Sequence, residues 1–277
     1  MSAAPGRSQT SSHRSPQGEG IPMTPINLNA DLGESFGAWT MGSDAALLSV
    51  INSANIACGF HAGDPVVMRE TVRMAIANGV SLGAHPAFPD LQGFGRRVMQ
   101  LSPREIEATI LYQVGALQAM ATAEGGRVTH VKPHGALNNM ACADEAMAST
   151  VARAVKALDR ELILLAPALS ALERAGEAAG LRVAREVFAD RTYQADGQLT
   201  PRSVPGSVLH EAQDCVRHVQ RMLDAGGIVT ADGQHLPTAI HSICVHGDGP
   251  GAVAAAQAIR SALEAAGHRL TGLPELV

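Results

Sequence analysis

The sequence predicts an α/β fold: a closed barrel of seven parallel strands, each followed by a helix. Three observations lead there. Short apolar runs alternate with helical patterns seven times along the chain. Hydrophobic residues make up 46% of the 277 but aromatics only 3%, so the core is built from Ala, Val, Leu, Ile and Met, as in helix-wrapped parallel sheets. Nearly every strand ends in an ionisable residue. An open doubly wound sheet concentrates its polar tips at one switch point, whereas a barrel spreads them round its C-terminal rim.

Met1 to Thr24 is rich in Ser, Pro and Gly and has no apolar periodicity. It reads as a disordered N-terminal extension, with Met23 a natural start. Residues 25–277 then form one barrel domain. Ile26 to Ala30 is the first strand, ending in Asp31, Gly33 and Glu34, and Ser43 to Val50 is helical. Ala54 to Cys58 is the second strand, running into Gly59, His61, Gly63 and Asp64. Asp64 is placed to cap the next helix, Pro65 to Asn78, with Pro65 at its first position. The third strand, Val80 to Ala84, ends in His85-Pro86. A Gly-, Pro- and Arg-rich loop, Ala87 to Gln100, is long enough to act as a lid. Ser102-Pro103 with Glu105 opens the helix Pro103 to Glu124.

Val128 to Lys132 is the fourth strand, ending in Pro133-His134-Gly135, and Asp144 to Leu158 is helical. Leu162 to Leu165 is the fifth strand and Pro167 to Ala179 its helix. Leu181 to Val187 is the sixth strand, with Glu186, Asp190 and Arg191 at its end, and the helix Ser207 to Ala225 follows. Ile240 to Val245 is the seventh strand, ending in His246-Gly247-Asp248, and Gly251 to Ala266 is the last helix.

The net charge of -5 argues against a nucleic-acid surface. No apolar run is long enough to span a bilayer, so no membrane partner is expected. The four cysteines are widely spaced, with no CxxC pair, as for reduced thiols in a cytoplasmic protein. Cys58 and Cys244 lie beside rim motifs, but a small buried Cys is the commoner role there.

Capping uses Ser, Asp or Asn, not His or Lys, so the tips point to a site. Three chemistries are open. Asp31, His61 and His134 could form a facial metal site. Asp31, Glu34 or Asp248 could act as general base while a His or Lys132 polarises a carbonyl. The backbone amides of the turn from His246 to Gly251 could hold a carboxylate or phosphate. Asp64, His85, Arg96, Glu186, Asp190, Arg191 and His246 are the candidates for substrate contact. No GxxxxGK[ST] phosphate loop occurs.

The runs NLNADLGESFGAW, NIACGFHAGDP, GAHPAFPD, GFGRR, VKPHGALNN, EVFADRTY and CVHGD resemble the LamB/YcsF family, that of the 5-oxoprolinase A subunit, from Ile26 to the C-terminus. One departure is Asn138, where the family usually shows Tyr. The resemblance implies a barrel similar to the seven-unit glycoside hydrolase/deacetylase superfamily. That superfamily often places an Asp and two His on a metal, here Asp31, His61 and His134. It also implies ATP-dependent opening of 5-oxo-L-proline to L-glutamate, with ATP and Mg, in a complex with two further 5-oxoprolinase subunits. Two other functions are weighed beside it: a metal-dependent deacetylase or amidohydrolase, and a lactam-binding delivery subunit.

Overall fold

In chain order the elements are β1 (Pro25–Leu32), α1 (Asp44–Leu48), β2 (Ser53–Ala57), α2 (Pro65–Ala77), β3 (Ser81–His85), α3 (Pro103–Ala123) and β4 (Val128–Val131). Next come α4 (Gly135–Ala143), α5 (Glu145–Leu158), β5 (Ile163–Pro167), α6 (Ala171–Ala179), β6 (Arg182–Phe188) and α7 (Ala212–Ala225). The chain ends with β7 (Gly227–Val229), β8 (His235–Pro237), β9 (Ser242–Val245), α8 (Ala252–Ala265), β10 (Arg269–Leu270) and α9 (Leu273–Leu276). This computed structural model describes residues 1, 24–246 and 251–277. The expected extension over residues 1–24 and the candidate Asp248 therefore fall mostly or wholly outside the described residues.

Strands β1 to β6 and β9 pair in parallel in that order, and β9 returns to β1, closing a seven-stranded barrel. The seven predicted strands are all present. Three features were not expected. The run Gly135–Ala143 is a helix of its own, β7 and β8 form an antiparallel hairpin, and β10 with α9 follows the last long helix. The helix predicted from Ser207 begins at Ala212 instead.

The alternation of β1 explains how the barrel is layered. Ile26, Leu28, Ala30 and Leu32 join the apolar shell between barrel and helices. Asn27, Asn29 and Asp31 share the opposite parity and make the hydrogen bonds of the interior. The interior is apolar on one side, where Ile163, Leu165 and Ala184 meet Leu273 of α9. The C-terminal turn thus closes the end of the barrel away from the rim. Its backbone is fixed there too: Asn27 Nδ2 donates to Thr271 O at 2.7 Å, and Leu273 N donates to Ser53 Oγ at 3.3 Å.

On its other side the interior is a polar ladder. Asn29 Nδ2 donates to Glu186 Oε1 at 2.9 Å and to Ser242 Oγ at 2.8 Å. Asn55 Nδ2 donates to Asn29 Oδ1 at 2.7 Å and to Asp31 Oδ1 at 2.9 Å. His130 Nε2 reaches Asn55 Oδ1 at 3.1 Å. Gly83 makes room for that ring, since a Cβ there would lie 2.0 Å from His130 Nε2. Buried polar groups are tolerable only when bonded in this way.

Candidate active site

The rim of the barrel opens into a cavity of about 650 Å³, a size that suits a small molecule. At its floor Lys132, at the end of β4, is almost wholly buried. Its Nζ lies 2.9 Å from Asp31 Oδ1 and 3.1 Å from Glu186 Oε1, and it donates to Cys244 Sγ at 3.1 Å. Burial works against the ammonium, but Asp31 first, and Glu186 with it, hold its pKa well above the ordinary value. Burial likewise opposes the Asp31 carboxylate, yet His85 and Lys132 beside it keep its pKa well below the usual range. Glu186 has its pKa raised, first by burial and further by Asp31. Burial pushes Cys244 well up too, so it is a thiol packed on Lys132 and not a nucleophile.

Beside this group stands a cluster of imidazoles. His85 Nδ1 lies 2.6 Å from Lys132 O, and His134 Nε2 lies 2.8 Å from Phe94 O. Each of those nitrogens must carry the proton, because a carbonyl only accepts. The other two, His85 Nε2 and His134 Nδ1, face each other at 3.0 Å. The His61 ring stacks on His134 with centroids 3.9 Å apart, and its Nε2 lies 3.3 Å from Glu34 Oε1. Glu34 Oε1 is also 3.9 Å from His134 Nδ1. Burial first, and the neighbouring imidazoles second, keep the pKa values of His61 and His134 well below the ordinary value. Neutral rings with lone pairs turned toward a carboxylate are what a cation requires.

The loop after β3 holds this cluster in place. Phe94 has a φ of 54°, a costly conformation for a residue with a side chain, and its carbonyl is the partner of His134. Gly95 packs directly on the rings: a Cβ there would lie 2.8 Å from His61 Cβ and 2.9 Å from His134 Cδ2. Asp90 pins the loop by accepting from Gly93 N at 3.0 Å and from Arg97 Nε at 2.7 Å. Arg97 is therefore spent on the loop, while Arg96 lies over the Phe94 ring and lines the cavity.

Most of the expected residues meet here. Asp31, Glu34, His85, Arg96, Lys132, His134, Arg191 and His246 line the cavity. Several do not, and each has another task. Asp64 caps α2, its Oδ1 accepting from Val66 N at 2.8 Å while Oδ2 accepts from Gly37 N at 2.8 Å. It caps a helix and ties a loop, and it does not line the cavity. Glu186 lies inside the barrel beneath Lys132, and His61 is fully buried behind His134. Asp190 backs His246, with Nδ1 2.8 Å from Oδ2. Burial opposes charge on both of these groups, but their attraction raises the His246 pKa and lowers that of Asp190.

The structure groups the residues of the expected metal triad differently. The carboxylate that groups with His61 and His134 is Glu34, and His85 is a third imidazole in the set. Asp31 instead groups with Cys244 and His246, and its closest cation is Lys132. Sequence reasoning also missed Asn29, Asn55 and His130 in the barrel and Tyr193 and Arg202 in the cavity wall. The signal for the first of these was present: Asn27, Asn29 and Asp31 repeat every second residue inside an apolar strand.

Fold and site together define a closed β/α barrel with an acid–lysine–imidazole centre at its C-terminal rim. The LamB/YcsF family model matches residues 26–277, and the chain belongs to that family. The 5-oxoprolinase A subunit of Azoarcus sp. (strain BH72) is 64% identical over 92% of this chain and 99% of its own length. The protein of the same name from Methylococcus capsulatus is 56% identical over 90% of this chain and 95% of its own. The crystal structure of the lactam utilization protein from Thermus thermophilus superposes with a TM-score of 0.85 at 46% identity, covering 90% of this chain and all of that one. Among the described residues no helix is long and apolar enough to cross a membrane.

Proposed function

We propose that this chain is the lactam-binding and ring-opening subunit of an ATP-dependent 5-oxoprolinase, converting 5-oxo-L-proline to L-glutamate with two further subunits. The observation that carries the reading is the Lys132–Asp31 pair, 2.9 Å apart at the floor of the cavity. A five-membered lactam resists ring opening, so the reaction is coupled to ATP. Transfer of the γ-phosphoryl group to the lactam oxygen makes an imidate-like carbon. Water then adds to that carbon and the ring C–N bond breaks with nitrogen taking a proton, which leaves an acyl phosphate; a second water cleaves this to the carboxylate and inorganic phosphate.

In this scheme the Lys132 ammonium, held charged chiefly by Asp31, stabilises the negative charge that gathers on oxygen. Asp31 is ionised at neutral pH and stands beside both Lys132 and His85, so it accepts the proton of the attacking water. Its depressed pKa makes it a weak base, which suffices for a carbon that phosphorylation has already activated. The chain has no phosphate loop, and the reading assigns nucleotide handling, with Mg, to the assembled complex.

A divalent metal fits beside this centre, with Glu34, His61, His85 and His134 as its ligands. Such an ion would polarise a carbonyl as a Lewis acid. The same cluster supports a second reading, a metal-dependent amidohydrolase that needs no ATP. The deciding experiment assays the chain alone and with its partner subunits for glutamate formed from 5-oxo-L-proline, with and without ATP. ATP-dependent turnover by the complex, lost at least ~100-fold in Asp31→Asn, is expected. Turnover of an amide by the chain alone without ATP would replace the first reading with the second.

A further inference from the structure

Arg191 is the most heavily buried arginine lining the cavity, and its position is unusual for a charged group. It is 7% exposed. Its Nη2 donates to Thr200 O at 2.6 Å, but its Nε is buried and has no hydrogen-bond partner among the described residues. The acid next to it, Asp190, is engaged by His246, with both carboxylate oxygens within 2.9 Å of Nδ1. The backbone holds Arg191 firmly: it bridges Val208 across the loop, and its carbonyl accepts from His218 Nε2 at 2.9 Å. A guanidinium fixed in this way, desolvated and sharing its nearest acid, Asp190, with His246, is costly unless an anion joins it.

Other features of the same wall favour an anion. Arg202 also lines the cavity, and its charge, after burial, is the next influence depressing the Arg191 pKa. Like charges held near one another raise the local positive potential. The N-terminus of α4 lines the cavity at Gly135 and Ala136 without a side-chain cap, its Ala136 amide donating to Gly95 O at 2.8 Å. The fork of Arg191 suits a planar, two-oxygen group better than a point charge would.

We infer that Arg191 is the anchor of a carboxylate subsite, one that takes the free carboxylate of a small cyclic amido acid and so sets its amide against Lys132. This rests on the lactam reading above but goes further, because it names the residue that would separate an amido acid from a simple lactam. In that arrangement the two ends of the ligand have separate receptors, Arg191 for the acid and the Lys132 centre for the amide.

The test is calorimetric binding to the full chain with 5-oxo-L-proline, with 2-pyrrolidinone, which lacks the carboxylate, and with inorganic phosphate. Wild type is expected to bind the acid at least ~30-fold more tightly than 2-pyrrolidinone. Arg191→Gln should remove that preference, leaving 2-pyrrolidinone binding and the fold intact by circular dichroism. Arg191→Lys, the fallback if the first variant does not fold, keeps the charge without the fork and should recover only part of the preference. Equal loss of both lactams, or no loss of either, would overturn the inference. So would phosphate binding that Arg191→Gln abolishes while the acid is unaffected. If wild type binds neither lactam but binds a short carboxylate such as acetate or succinate through Arg191, the subsite stands and the 5-oxoproline reading falls. Binding of no carboxylate at all would remove both.

Discussion

His134 Nδ1 and His85 Nε2 face each other at 3.0 Å, and the carbonyls on their far sides leave both with lone pairs when the rings are neutral. Two acceptors at that distance repel unless a proton or a cation lies between them. With Glu34 and His61 adjacent, a divalent metal bound there would satisfy all four groups together. Adding Zn, Mn or Co to metal-stripped protein is therefore expected to raise its melting temperature by RT ln(1 + [L]/Kd) linkage. The His85→Gln and His134→Gln variants should lose that response and any metal seen by elemental analysis. A metal-free protein whose melting temperature ignores all three ions would mean that the pair shares a proton instead.

Lys132 is the only cation that the described contacts place between Asp31 and Glu186. Lys132→Met leaves two buried acids facing each other and should cost ~3–5 kcal/mol in urea unfolding at neutral pH. Adding Glu186→Gln should recover part of this loss, because one of the stranded acids is then neutral. Ring opening by the assembled complex should be abolished in both. An unchanged unfolding midpoint in the single variant would show that water already solvates the acids.

His130 gives the barrel an acid sensitivity of its own. Burial first, with Lys132 and His85 adding to it, pushes its pKa down to about 3 from an ordinary 6.5. Between those values the unfolded chain binds a proton that the folded chain refuses, so stability falls as pH drops below about 6.5. The slope is ~1.4 kcal/mol per pH unit from this ring alone, and it ends near pH 3, where the folded state also takes the proton. His130→Asn should flatten the stability–pH curve by about one proton's worth over that window. A slope identical to wild type would mean that the ring is solvated.

Leu273 fills the closed end of the barrel against Ile163, Leu165 and Ala184 and is fully buried. Leu273→Ala should destabilise by ~2–5 kcal/mol, the usual range for emptying such a position. Activity measured well below the melting temperature should be retained, because the change lies at the end of the barrel opposite the rim. A loss of activity without loss of stability would instead couple the plug to the site through Asn27 and the polar ladder.

Much of this protein was decided by its sequence alone. Apolar runs separated by helical patterns determine seven strands, since each must bury one face on the next. Pro65 after Asp64, and Ser102 ahead of Glu105, determine where two helices start, because capping is local. The rim residues were legible because a parallel barrel puts every strand's C-terminal end on one face. Tertiary structure alone decided who meets whom there. Asp31 and Glu34 are three residues apart, yet Asp31 pairs with Lys132 and Glu34 joins the imidazoles, an allocation set by the stagger of strands far apart in sequence. The polar ladder of Asn29, Asn55 and His130 likewise exists only once β1, β2 and β4 are side by side. An asparagine or histidine in isolation is equally at home in water, and only the closed barrel makes its partner obligatory.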